Sequence, residues 1–355
     1  MKDAAKPAES QNADRMIDVP PSLRSARDGN GRFVIPWPME DSPSRGIRDI
    51  ARWYAERMRT GVAPNPPADA FPPAEPDIAA PRNATDELRI TWIGHATFLI
   101  QLAGITILTD PMWSRRASPI GWAGPARLVP PGLGFDALPT VDVVVLSHDH
   151  YDHLDSRTVR RLQARFDREL TWVTPLGYAS WLRRFGVENV VELDWWEAAT
   201  VNTPGGPLQV RATPAQHWSK RSPFGERTRL WSGFVLSAGP QAQVYFCGDS
   251  GYFGGFDAIG TLGPFAASLM PIGAYDPRWF MKPAHMNPEE AVRAYTQLGD
   301  GGLFVAMHYA TFRLTDELPL EPQQRADAAW RDLGLPPDRL WIPRHGETRI
   351  MPVGR

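Results

Sequence analysis

From Leu88 onward short apolar runs follow one another closely: LRITWI, then TFLIQL, a turn at Ala103-Gly104, and ITILTD. Runs of this length, rich in β-branched residues and separated by turn formers, predict an antiparallel meander. Further strands are predicted at 141–146, 171–173, 190–193, 208–212, 233–236, 243–247, 268–271 and 304–307. Between them, Asp155 or Ser156 can cap a helix on which Val159, Leu162 and Phe166 share one face, leaving Arg157, Arg160, Arg161 and Arg165 to solvent. Asn287 as N-cap and Pro288 at the first helical position open another helix, EEAVRAYTQL, that stops at Gly299. Strands and helices mixed in this order predict an α/β (α+β) protein, with sheets packed together and helices on their outer faces.

Before this region the texture differs. The stretch APNPPADAFPPAEP removes backbone donors repeatedly, so residues 1–85 read as a Pro-rich arm and 86–355 as the main domain. Within the arm, Ile47, Ile50, Ala51, Tyr54 and Met58 recur at helical spacing and predict an amphipathic helix over 45–58. It can pack on the main domain or on a partner, and a homodimer through the arm or this helix leaves the same pattern. No internal repeat of fixed period is evident.

Composition narrows the function classes. With 355 residues, 43% of them hydrophobic, the chain can bury a substantial core as one large domain or two average ones. Its 38 basic and 40 acidic side chains leave a formal charge of −2, so no global field gathers nucleic acid. A single cysteine, Cys247, excludes an intramolecular disulfide and a Cys-rich zinc module, so a metal must use His and carboxylate. The polar opening MKDAAKPAES shows no secretory signal, and a cytoplasmic location is expected. No run approaches the roughly 20 apolar residues a membrane span needs. The 14 Trp, several in Gly/Pro-rich segments, leave room for peripheral contact with a membrane.

The chemistry concentrates in SHDHYDHLD, directly after VDVVVL. Alternate residues of an extended segment face one way, so His148 and His150 can converge on one ion while Asp152 and His153 face a second as the chain turns. Imidazole and carboxylate are the ligands zinc accepts when thiolate is absent. Four donors cannot saturate two ions, so others must follow strands elsewhere. His217 after LQVRATPAQ, Asp249 after QVYFCG and His308 after LFVAM meet that requirement. Singly, His217 and His308 read equally well as core histidines and Asp249 reads better as a turn aspartate after Gly248; the recurring placement favours metal. A carboxylate has two oxygens, which makes Asp249 the natural bridging ligand.

HxHxDH with a later His, Asp and His resembles the metallo-β-lactamase superfamily, which implies an αβ/βα four-layer sandwich. More narrowly, TWIGHATFLI, LTDPMWSRRASP, LSHDHYDHLD, VELDWWE, TPAQHWSKR, CGDSGY, MPIGAYDPRWFM, HMNPEEA, MHYATF and RHGET are similar to the N-acyl-phosphatidylethanolamine-hydrolysing phospholipases D, in order from about Leu88 to Arg349. By that resemblance His148, His150 and His217 hold one zinc, Asp152, His153 and His308 the other, and Asp249 is shared; iron or manganese suits the same donors. Asp152, Asp249 and His285 are then the residues expected to carry the chemistry, His285 as a substrate-contacting or proton-handling group. The family has Gln and Asp near Ala284 and Asn287, a departure that leaves fine substrate placement open. His95 and His345 read as structural or hydrogen-bonding groups behind the ligands, and Asp110 as a turn residue or a ligand-orienting carboxylate.

The implied reaction is metal-dependent hydrolysis of N-acyl-phosphatidylethanolamine-like phospholipids to N-acylethanolamine and phosphatidic acid. Hydrolysis of a lactone or another phosphodiester uses the same chemistry, and a non-catalytic lipid-binding protein on this fold is a further alternative. The aperiodic 113–138 loop, containing Trp122 and Leu128, is expected to touch acyl chains or a membrane surface.

Overall fold

The computed structural model describes residues 19–39, 46–62, 64–67, 69–80, 82–83, 86–222, 225–239, 242–299 and 301–353. Residues 1–18, on which most of the leader reading rests, and Arg45 of the predicted helix lie outside the described residues.

A small hairpin of β1 (Ala26–Arg27) and β2 (Phe33–Val34) and the helix α1 (Ile47–Thr60) precede the main body. One seven-stranded sheet contains β3 (Glu87–Gly94), β4 (Thr97–Leu102), β5 (Ile105–Thr109), β6 (Val143–Val145), β7 (Thr171–Pro175), β8 (Val190–Leu193) and β16 (Thr348–Pro352), ordered β16-β3-β4-β5-β6-β7-β8. The other contains β9 (Ala198–Thr203), β10 (Gly206–Thr213), β11 (Gly233–Ser237), β12 (Gln243–Phe246), β13 (Ala267–Pro271), β14 (Leu303–Met307) and β15 (Leu340–Trp341), ordered β15-β14-β13-β12-β11-β10-β9. The predicted meander is β3-β4-β5, antiparallel throughout, whereas β5-β6-β7-β8 and β12-β13-β14-β15 are parallel. The remaining helices are α2 (Ser156–Phe166), α3 (Ala179–Leu182), α4 (Phe256–Gly260), α5 (Arg278–Met281), α6 (Pro288–Gln297) and α7 (Glu321–Asp332).

Side-chain alternation builds the layers. Phe98, Ile100, Ile107, Val143, Val145 and Val173 point into a core shared with Val210, Phe234, Leu236, Phe246 and Leu269 of the facing sheet. Their neighbours Leu99, Leu108, Val144, Leu146 and Trp172 point the other way, onto Val159, Leu162 and Phe166 of α2. A sheet covered on both faces needs continuous apolar runs, which is how these strands read. With α6 and α7 against the far side of the second sheet, the result is the four-layer sandwich of the metallo-β-lactamase fold.

The N-terminal segment joins this core: Val19, Leu23, Phe33 and Phe71 are buried in it, and Trp37 stacks on Trp195 and Phe253 at 5.7 and 4.7 Å. The described α1 spans 47–60 and meets the body through Trp53, which stacks on Phe280, and through the Arg57–Asp316 ion pair. Its apolar stripe therefore faces outward.

Candidate metal centre

The site lies where strands of both sheets end. β6 stops at Val145, and Ser147 is held by its N–H to Asp110 Oδ1 at 2.7 Å. The chain then turns, His153 and Leu154 donating their N–H groups back to the His150 carbonyl, and enters α2, where the Asp155 side chain accepts the Arg157 N–H. Asp249 arrives at the same place from β12. The preceding Gly248 has φ +61°, and a Cβ there would lie 2.7 Å from the Ser147 Cβ, so only glycine lets the two strand ends pass. His308, directly after β14, itself takes φ +64°, a left-handed conformation that the surrounding structure must hold in place.

All seven predicted donors converge. His148 Nε2 lies 2.9 Å from His150 Nδ1, which lies 3.1 Å from His217 Nε2. Beside this trio, His153 Nε2 and His308 Nε2 are 3.2 Å apart, and each is about as near to Asp152 Oδ2, at 3.5 and 3.6 Å. Asp249 sits between the groups: Oδ2 is 3.1 Å from His153 Nε2 and 3.7 Å from His148 Nε2, and Oδ1 is 3.1 Å from His308 Nε2. His285 Nδ1 stands 4.0 Å from the same carboxylate.

The donor chemistry fits cations. Both Asp249 oxygens are fully buried and make no hydrogen bond, close as the imidazoles are. Asp110, Asp152 and Asp249 are all buried, and the charges available to balance them are the histidines themselves. Burial pulls His308 down, but the nearby charges of Asp249 and Asp152 outweigh it and raise its pKa to about 9. His153 is raised well above the ordinary value against the same burial, by Asp249, Asp152 and Asp110. In contrast, burial and the neighbouring imidazoles hold His148 and His217 well below it. Three imidazoles presenting ring nitrogens to one point, and a carboxylate with two unpaired oxygens, form a donor set of the kind that binds divalent metal.

Groups behind the donors fix their orientation. His153 Nδ1 meets Asp110 Oδ2 at 2.6 Å, the ligand-orienting reading of that aspartate. His217 Nδ1 donates to the Ala284 carbonyl at 3.0 Å, while Asn287 caps α6 with its side chain, so the two positions that depart from the family pattern serve through a backbone oxygen and a helix cap. His95 Nε2 lies 2.8 Å from Asp152 Oδ2, and His345 is spent on Thr311 and the face of Trp92. Sequence reasoning missed Ser147, whose hydroxyl lies 2.9 Å from His148 Nδ1, and Trp218, whose ring flanks both His150 and His217. Both stand next to a predicted ligand in the chain, the one signal that could have marked them. Cys247 is buried, its thiol pushed up to about 12 by desolvation, and takes no part.

Comparison with known proteins agrees with this geometry. The β-lactamase superfamily domain matches residues 106–309. The chain belongs to the metallo-β-lactamase superfamily. Among its relatives, N-acyl-phosphatidylethanolamine-hydrolyzing phospholipase D 1 of Caenorhabditis elegans is 40% identical over 243 residues, 66% of this chain and 67% of that protein. The mitochondrial N-acyl-phosphatidylethanolamine-hydrolyzing phospholipase D of Saccharomyces cerevisiae is 32% identical over 265 residues, 73% of this chain and 55% of that protein. A metallo hydrolase from Ignicoccus hospitalis shares the fold with TM-score 0.56 at 23% identity, over 75% of this chain and 98% of its own. Superfamily membership and the His/Asp cluster together make the chain a metal-dependent hydrolase. Among the described residues no helix is long and apolar enough to cross a membrane.

Proposed function

We propose that this superfamily member is a zinc-dependent phosphodiesterase of phospholipase D type, hydrolysing N-acyl-phosphatidylethanolamine-like phospholipids to N-acylethanolamine and phosphatidic acid. The observation that carries the reading is the pair of donor groups facing one carboxylate, in a chain 40% identical to a relative that bears that activity in its name. His148, His150 and His217 would hold one zinc, Asp152, His153 and His308 the other, and Asp249 would reach both. Divalent ions bound there supply Lewis acidity toward phosphoryl oxygens and a water acidic enough to act as nucleophile at neutral pH.

The chain's own residues do the rest. Asp110, Ser147 and the Ala284 carbonyl hold the rings of His153, His148 and His217 so that their inner nitrogens stay aimed. His285, kept neutral by burial with its pKa down to about 3, has an Nδ1 with no partner, and this atom would contact substrate; being neutral, the ring would hand a proton to the departing oxygen only by taking one up at its other nitrogen. Leu128, Ala310, Phe312, Leu314 and Pro319, together with Arg313, Thr315 and Glu317, line a small cleft that reaches His308. In the 113–138 loop Leu128 thus turns inward, whereas Trp122 is 81% exposed.

The test is turnover of N-acyl-phosphatidylethanolamine by protein of assayed metal content, with products identified by mass. Phosphatidic acid plus N-acylethanolamine supports the reading. No turnover by protein holding about two metals per chain sinks the lipid assignment and directs the search to lactones and other phosphodiesters.

A further inference from the structure

Helix α1 presents its apolar residues to solvent. Ile47, Ile50, Tyr54 and Met58 recur at i, i+3, i+7 and i+11 and form one stripe, with Ile47 86% and Met58 82% exposed. Surface apolar residues scattered singly need no explanation, but a continuous stripe marks an interaction face. The helix is also held firmly: Trp279 donates to Glu56 at 3.0 Å, Arg52 lies over the Trp279 ring, and Arg57 pairs with Asp316. The opposite side, with Trp53, Glu56 and Arg57 partly buried, is the one that meets the body, so the stripe is left to solvent.

Charge is sorted on the same helix. Its two carboxylates are turned away from the stripe: Asp49 accepts the Gly46 N–H, and Glu56 is taken up by Arg52 and Trp279. Arg48 and Arg59 line one flank of the stripe and form no ion pair among the described residues, whereas Arg52 is taken up by Glu56 and Trp279. We infer that α1 docks this protein on a lipid bilayer bearing anionic headgroups, the stripe entering the headgroup boundary and the arginines meeting lipid phosphates. An apolar stripe flanked by basic residues is the pattern of helices that lie in the interface plane, and 14 residues are too few to span.

A second copy is the competing occupant, and charge disfavours it. Two stripes packed antiparallel about a twofold axis bring the Arg48 and Arg59 flanks of both copies to one rim, with no outward carboxylate on the helix to meet them. An anionic surface satisfies the same arginines at about 1 kcal/mol each. Docking here also orients the metal centre, because α1 rests on Trp279 and Phe280, and that segment leads directly to His285.

The inference is independent of which lipid bond is cut, because it is tested by binding alone. The full chain is sedimented with vesicles of phosphatidylcholine and with vesicles containing phosphatidylglycerol, at low and high salt. Binding is expected on the anionic vesicles and should weaken with salt. The pair Ile47→Ser and Met58→Ser, and separately Arg48→Glu with Arg59→Glu, should lower partition about tenfold or more at unchanged Tm and metal content. Absence of binding by the native chain, equal binding by both variants, or a dimer that the Ile47/Met58 pair dissociates would each overturn it. Should a variant fail to fold, the native chain's preference for anionic over neutral vesicles decides alone.

Discussion

The two donor groups are built from nearly the same side chains, yet what stands behind them differs. Behind His148 and His217 are a hydroxyl, Ser147, and a backbone carbonyl, Ala284, and both rings are held neutral. Behind the other group stand a carboxylate, Asp110, on His153 and an imidazole, His95, on Asp152, and its histidines are raised. Neutral partners fix geometry alone, whereas a charged partner also makes the ring a stronger base and a better donor to a cation. The difference teaches that one side is set to hold a metal by position and the other by charge.

The largest effect should come from the residue facing both. Asp249→Asn removes the shared charge and is expected to cut kcat/KM by about a thousandfold or more, with metal analysis showing loss from both groups. Full retention at either one would break the symmetry assigned to Asp249.

Protonation of the metal-free protein sharpens the contrast next. His148 and His217 have depressed values, so below the ordinary pKa of 6.5 the unfolded chain takes up protons first and their contribution to stability is lost as pH falls. His308 is raised, so its contribution is full below 6.5 and is lost as pH rises toward about 9. Stability of the metal-free protein should thus peak near the ordinary histidine value and decline on both sides, with His308 contributing up to about 3 kcal/mol to the alkaline limb. His308→Gln should shorten that limb alone; an unchanged alkaline limb in thermal melts would refute the assignment.

Smaller changes separate charge from position. Asp110→Asn keeps the shape and removes the charge behind His153, and should weaken metal binding about 10- to 100-fold. Ser147→Ala should cost less, and calorimetric titration of both gives the ranking; the reverse order would mean that geometry dominates on both sides. Asn287→Ala removes the α6 cap without touching either group. It should lower stability by about 1 kcal/mol at unchanged metal content.

Much of this cluster was legible in the chain because its His and Asp residues sit just past strand ends, and strand ends can be read from where apolar runs stop. His217, Asp249 and His308 were found that way, as was the α6 start from Asn287-Pro288. The partners behind them were legible only in part: His95 and Asp110 read as hydrogen-bonding groups, but not which side chain each would meet, since His95 reaches Asp152 from 57 positions away, and a backbone carbonyl such as that of Ala284 carries no residue-type signal. Helix α7, EPQQRADAAWRD, escaped notice because it buries mostly alanines with Trp330, and the strand AATVNT because a polar edge strand lacks an apolar run. Periodicity identified α1 as a helix, but a period cannot say which side faces the protein.

Trp37 carries one further consequence. It stacks between Trp195 and Phe253 and donates to Gln216, the residue before His217. The superfamily domain matches residues from 106 only, so this indole lies outside that match. A chain trimmed to that boundary would strip the prop from Gln216 and uncover the core around Phe253. The stretch that the superfamily domain matches and the stretch that packs together are, in this molecule, different lengths of polypeptide.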